Sequence, residues 1–120
     1  MELVEDKHSS DFNILKYSNE YIVIGDKSYS KPILFFDSKI SNFEIHQPDA
    51  INYEDIEKYV HSVDLLLIGT GANTIIPNER LIRMMFDKKK GLEFMNTQSA
   101  CKTHNLLLSE NRSFSSILYP

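Results

Sequence analysis

The stretch DLLLIGTGANTIIP, residues 64–77, constrains this chain more than any other. Leu65 to Ile68 are consecutively apolar, and a strand of that kind has no polar face to offer water. It belongs inside a parallel sheet covered on both sides, so the rest of the chain must supply helices for two faces. The run then breaks at Gly69-Thr70-Gly71 on the way to a helix. Turns of this type hold phosphates in many nucleotide-binding sheets.

The dinucleotide fingerprint needs three glycines, for the turn, the pyrophosphate approach and the helix packing. Here the third position is Thr74. The acidic ribose ligand expected about 20 residues on is missing too, since Asp87 falls inside the following helix and Glu93 inside the next strand. No lysine stands between Gly71 and Lys88, which excludes a Walker-type loop. The motif reads as a sharp exit from a buried strand, where glycine is needed for steric reasons.

The flanking segments follow the same logic. FNILKY (12–17) and YIVIG (21–25) are strand-like and separated by the turn Ser18-Asn19-Glu20, with a second turn at Gly25-Asp26-Lys27. Pro32 leads into ILFF, and NFEIH (42–46) predicts one more strand before Pro48. Asn52 and Asp55 form a capping-box pattern ahead of a helix carrying Tyr53, Ile56, Val60 and Val63. Pro77 is expected to open the next helix, which Lys88-Lys89-Lys90 and Gly91 close. LEFMN is the next strand, TQSACKTHNLLLSE the next helix and SFSSILY the final strand. The predicted fold is an α/β three-layer sandwich: a mixed sheet with a parallel βαβ second half and an antiparallel β extension from the first half. Residues 1–11 are polar and aperiodic, a flexible lead-in, and residues 12–120 form one domain.

Ligands in open α/β sheets bind beyond the carboxyl ends of parallel strands. The turn Gly69, Thr70, Gly71 and Ala72 and the helix start Asn96, Thr97 and Ser99 are expected on one such rim, with Lys102 adding charge. Uncommitted amides there would suit a small anion. Cys101, His104 and Asn105 share one helix face, an arrangement that suggests a thiol nucleophile. Ala100, Cys101, His104, Leu107 and Leu108, however, form one continuous stripe that packs on the sheet, so Cys101 reads as a core residue. His8, His46 and His61 are dispersed, and no metal set, catalytic set or cofactor site is expected.

Charge and cysteine usage narrow the partners. A net charge of −4 with scattered cations argues against nucleic acid. A single cysteine permits no intrachain disulfide and fits a reducing, cytoplasmic setting. No apolar run reaches the roughly 20 residues that cross a bilayer, and the start MELVEDKHSSD has neither secretory nor transit character.

YSKPILFF, DLLLIGTGA, GLEFMNTQSACKTHNLLLSENR and the closing LYP together resemble the small-domain family that contains the adipogenesis-associated Mth-type proteins and the mitochondrial complex I assembly factor three. The resemblance runs from about Phe12 to Tyr119 and is most specific at Gly69-Thr70-Gly71 and at Thr97, Ala100, Thr103, Asn105 and Arg112. It implies a three-layer α/β fold with no established enzymatic activity and, in the mitochondrial relatives, work with protein partners on respiratory complex I. The chain is accordingly expected to be a non-catalytic binding or assembly-factor module with a protein partner. The alternative is an anion- or phosphate-binding enzyme using the Gly69–Gly71 rim.

Overall fold

The computed structural model describes residues 11–120, so the expected lead-in lies outside the described residues except for Asp11. Three short strands come first, β1 (Ile14–Ser18), β2 (Tyr21–Ile24) and β3 (Lys27–Tyr29), paired antiparallel in a small sheet of their own. β4 (Ile33–Phe36) and β5 (Lys39–Asn42) form a hairpin whose two turn residues, Asp37 and Ser38, have φ of 54° and 56°. Positive φ at both central positions matches the twist of the flanking strands.

The rest of the chain alternates: α1 (Tyr53–Val60), β6 (Leu65–Gly69), α2 (Glu79–Asp87), β7 (Gly91–Met95), α3 (Thr97–Ser109) and β8 (Phe114–Leu118). The main sheet has the order β5-β4-β8-β6-β7, with β6 parallel to both neighbours and β4 antiparallel to β8. β6 is buried along its whole length, as its unbroken apolar run requires. Leu66 and Ile68 join a core with Ile56, Val60, Leu81 and Met85 from α1 and α2, whereas Leu65 and Leu67 join a second core with Ala100, Cys101 and Leu107 from α3. The helices fall on opposite faces because the two crossovers run in opposite directions across the sheet, β6 outward to β7 through α2 and β7 back past β6 to β8 through α3. β1–β3 close the α3 side through Ile14, Ile22 and Ile24. The three-layer mixed α/β arrangement is thus present, with β4 and β5 as the antiparallel extension.

Four local expectations are corrected. NFEIH is not a strand: pairing stops at Asn42, after which Phe43 N donates to Pro32 O (2.9 Å) and the chain turns away. Phe43 and Ile45 still pack on the α1/α2 core. Alternating burial therefore marks an extended segment with one dry face, and a ladder partner is a separate matter. Pro77 does not open α2. Asn78 caps it, its Oδ1 accepting from Leu81 N (2.8 Å), and Pro77 stands one residue outside. Gly91 does not terminate α2 either. Lys89 takes the left-handed conformation (φ 60°), with Lys89 N bonded to Phe86 O and Lys90 N to Met85 O, a Schellman ending. Lys90 serves a different helix: its Nζ donates to His61 O (3.0 Å) and Val63 O (2.7 Å) just beyond the end of α1. Val63 is buried but lies past the last residue of α1.

Candidate functional site

The crossovers from β6 and β7 leave toward opposite faces, so the gap above their carboxyl ends is where a sheet of this kind opens to ligands. Here the gap is closed by the chain itself. Thr70 N donates to Met95 O (2.8 Å) and Thr97 N to Gly71 O (2.8 Å). The Thr97 hydroxyl accepts from Gly71 N (2.7 Å) and donates to Tyr119 O, so one buried side chain joins three segments. Tyr119 N in turn donates to Gly69 O (2.9 Å), and the Tyr119 hydroxyl donates to Ile45 O (2.7 Å). The Thr70 hydroxyl donates to Asn73 O (2.6 Å) and accepts from Ile75 N (3.0 Å), which folds the loop back on itself.

The two glycines have different tasks. A Cβ on Gly69 would lie 2.9 Å from Ala100 Cβ and 3.0 Å from Leu118 Cδ2, so this position is empty because α3 crosses there. Gly71 has open space around it but a φ of +100°, which side chains resist.

The expected rim residues are therefore brought together in part. Gly69, Thr70, Gly71, Asn96 and Thr97 meet at one sheet end. Asn96 caps α3 by accepting from Ser99 N (2.9 Å). The amides of Thr70, Gly71, Thr97 and Ser99 are thereby all bonded within the protein, which changes the sequence picture of uncommitted donors. Ala72, Ser99 and Lys102 are exposed. Thr97, expected on the rim as part of the helix start, is the buried tie.

Cys101, His104 and Asn105 do share a helix face but do no common chemistry. Burial pushes the Cys101 thiol up to about 12, and a thiol so held is not a nucleophile at neutral pH. His104 is fully buried between Phe35 and Phe114, and burial pulls its imidazole down to about 4. Its Nε2 lies 3.0 Å from Phe12 O, an acceptor, so Nε2 carries the proton and Nδ1 accepts from the Ser116 hydroxyl (2.9 Å). Asn105 points to β1 instead, its side-chain amide accepting from Ile14 N (2.7 Å) and donating to Ile14 O (3.0 Å). Neither His104's nor Asn105's role was readable from spacing, because both partners lie some 90 residues away.

An open cleft of about 710 Å³ lies at the opposite end of the sheet, lined among others by Phe12, Phe36, Asp37, Asn111 and Arg112. Arg112 is half-exposed there and stands 3.7 Å from Glu110. Among the described residues no group of three His, Cys, Asp or Glu side chains is placed to hold a metal ion, and no helix is long and apolar enough to cross a membrane.

The three-layer fold, with the 69–71 turn tied to Thr97 at one sheet end, is that of a small α/β domain of the Mth938-like type. A solution structure of a Mth938-like domain from Bordetella pertussis superposes with a TM-score of 0.75 at 20% identity, covering 92% of this chain and 87% of that one. The chain belongs to the family of proteins of unknown function DUF498/DUF598, whose family model matches residues 14–119. An outer membrane protein from Bartonella henselae has a TM-score of 0.78 at 27% identity, covering 92% of this chain and 96% of that one. A 13 kDa major membrane protein of Francisella tularensis subsp. holarctica is 26% identical over 98% of both chains. NADH dehydrogenase [ubiquinone] 1 alpha subcomplex assembly factor 3 of Drosophila melanogaster is 27% identical over 88% of this chain, which spans only 53% of that protein's length. The resemblance read from the sequence is thus correct at the level of family.

Proposed function

We propose that this chain is a non-catalytic binding module that helps assemble a membrane-associated protein complex. The observation that carries this reading is the tied gap above β6 and β7: at the place where such sheets bind substrates, the amides of Thr70, Gly71, Thr97 and Ser99 and the Thr97 hydroxyl are spent on internal ties. The relatives support it from another side. One is named as an assembly factor for NADH dehydrogenase and two as membrane proteins, while no helix among the described residues is able to span a bilayer. A module that docks on membrane proteins during their assembly accommodates both kinds of name. A role in assembling the respiratory NADH dehydrogenase itself is the specific form of the proposal.

The test is genetic and biochemical. Deleting the gene and resolving membrane complexes on native gels should show one complex, NADH dehydrogenase first among those to examine, stalled as a smaller intermediate. The tagged chain should co-migrate with that intermediate. Unchanged complexes with no co-migrating chain would refute the reading.

A further inference from the structure

Among the described residues β7 is the outermost strand of the main sheet, and its ladder to β6 fixes which way its peptide groups point. Gly91 N donates to Asp64 O and Met95 O accepts from Thr70 N, both at 2.8 Å. Peptide orientation alternates along a strand, so the groups of Gly91, Glu93 and Met95 face β6 while the N–H and C=O of Leu92 and Phe94 face outward. Four main-chain groups at an open sheet edge are a template for one chemical class, another extended polypeptide.

The two edges of this sheet are dressed differently. β5 carries Lys39 and has three of its four residues exposed, a typical guard against pairing. β7 offers the half-buried Leu92 and Phe94 on its α2 side, with a single exposed charge, Glu93, between them on the other face. α2, which packs against β7, leaves Phe86 80% exposed.

Glu93 decides what can pair here. Two copies related by a twofold axis use all four outward groups only when Leu92 faces Phe94 of the other copy. That register sets Glu93 directly opposite Glu93, in the non-hydrogen-bonded position where side chains come closest, and like charges so placed repel. Sliding the register draws in Lys90 or Asn96, but Lys90 N is bonded to Met85 O and Asn96 caps α3. A second copy is therefore disfavoured, whereas a cation opposite Glu93 is attracted.

We infer that the outer edge of β7 takes an extended segment of a partner protein as a sixth strand, with a lysine or arginine seated opposite Glu93 between two apolar residues. This rests on the binding-module reading and names its docking surface. The ladder supplies affinity, Glu93 supplies selection, and the exposed Phe86 lies on the side where the partner's apolar residues fall.

Titration of the full chain with blocked pentapeptides, followed by amide NMR, tests this. The probes are Thr-Val-Lys-Val-Thr, Thr-Val-Glu-Val-Thr, and the lysine peptide with both valine nitrogens methylated. The largest shifts should fall at Leu92 and Phe94, with the lysine peptide binding at least about tenfold more tightly than the glutamate peptide, a difference of ~1.4 kcal/mol. Methylation should abolish binding, and Glu93→Lys should reverse the preference. Equal binding of the two charges, indifference to methylation, or no shift at Leu92 and Phe94 with millimolar peptide overturns the inference. Those results alongside a stalled membrane complex in the deletion strain would sink the edge and leave the assembly reading intact. Selective edge binding with every membrane complex unaffected would do the reverse.

Discussion

The side-chain amide of Asn105 on α3 pairs with the backbone of Ile14 on β1 as a neighbouring strand would, Oδ1 accepting from Ile14 N at 2.7 Å and Nδ2 donating to Ile14 O at 3.0 Å. It closes the inner edge of the small sheet at the point where the β1–β2 register shifts between Ile14 and Lys16. Replacing Asn105 with Ala leaves both Ile14 groups without a partner, at a cost of about 2–3 kcal/mol. Asp at this position keeps the acceptor but sets a carboxylate against Ile14 O, so N105D should fare no better than N105A. Denaturant melts give the magnitude. Hydrogen exchange should show the loss concentrated in β1 and β2; uniform loss across the main sheet would contradict the role assigned to this pair.

Gly69 and Gly71 should respond to alanine in distinguishable ways. Gly71→Ala strains a left-handed backbone in open space and should cost about 1–2 kcal/mol. Gly69→Ala drives a methyl into Ala100 Cβ, an overpacking worth about 1–3 kcal/mol. The clash predicts rescue: Ala100→Gly should recover part of the G69A loss and none of the G71A loss. Strictly additive double mutants would show that the Gly69–Ala100 contact is not the cause.

Stability should fall with acid through His104. Its folded pKa, about 4, lies below the ordinary 6.5 because burial disfavours the charged ring. The unfolded chain therefore takes up the proton first as pH drops. The contribution is complete above pH 6.5 and declines as pH falls toward 4, by roughly 3 kcal/mol at most. Glu54, held at about 2 by its hydrogen bonds with Arg80, acts mainly at lower pH and does not obscure this window. Melts of the parent and of His104→Gln between pH 4 and 7 should differ in slope, whatever the baseline cost of the substitution. Parallel slopes would assign the acid sensitivity elsewhere.

Lys89 is an opportunity for stabilisation. It occupies a left-handed position at φ 60° that glycine fills without strain. Lys89→Gly should raise stability by about 1 kcal/mol, visible as a higher Tm. Lys90→Ala should do the opposite, since Lys90 Nζ holds the carbonyls of His61 and Val63.

The sequence was most legible where one physical pattern acted alone. The unbroken apolar run of β6 demanded burial on both faces, and the Asn52–Asp55 box placed the start of α1 to the residue. It was least legible where two local signals competed. Pro77 and Asn78 both mark a helix start, and the side-chain cap prevailed because it satisfies an amide that proline merely tolerates losing. Gly91 looked like a helix stop because glycine is the usual one, yet Lys89 bears the left-handed strain and Gly91 is the first residue of β7, close against Leu65. The candidate site shows the same division. The meeting of the 69–71 turn with Asn96 and Thr97 follows from parallel pairing, but Thr97 as a buried tie to Tyr119 O does not, because nothing in a helical pattern announces a contact 22 residues ahead.

The position of β8 carries a consequence for the order of folding. The hairpin β4–β5 and the pair β6–β7 touch within the main sheet only through β8, whose residues, 114–118, are the last of its strands to be made. A chain without β8 thus holds two half-sheets with raw edges, and β6 has a ladder neighbour on one edge only. Contacts between segments so distant in sequence close slowly. The module that we assign to assembling other proteins should therefore itself be protease-sensitive when truncated after Ser113 and resistant when the chain runs on through β8.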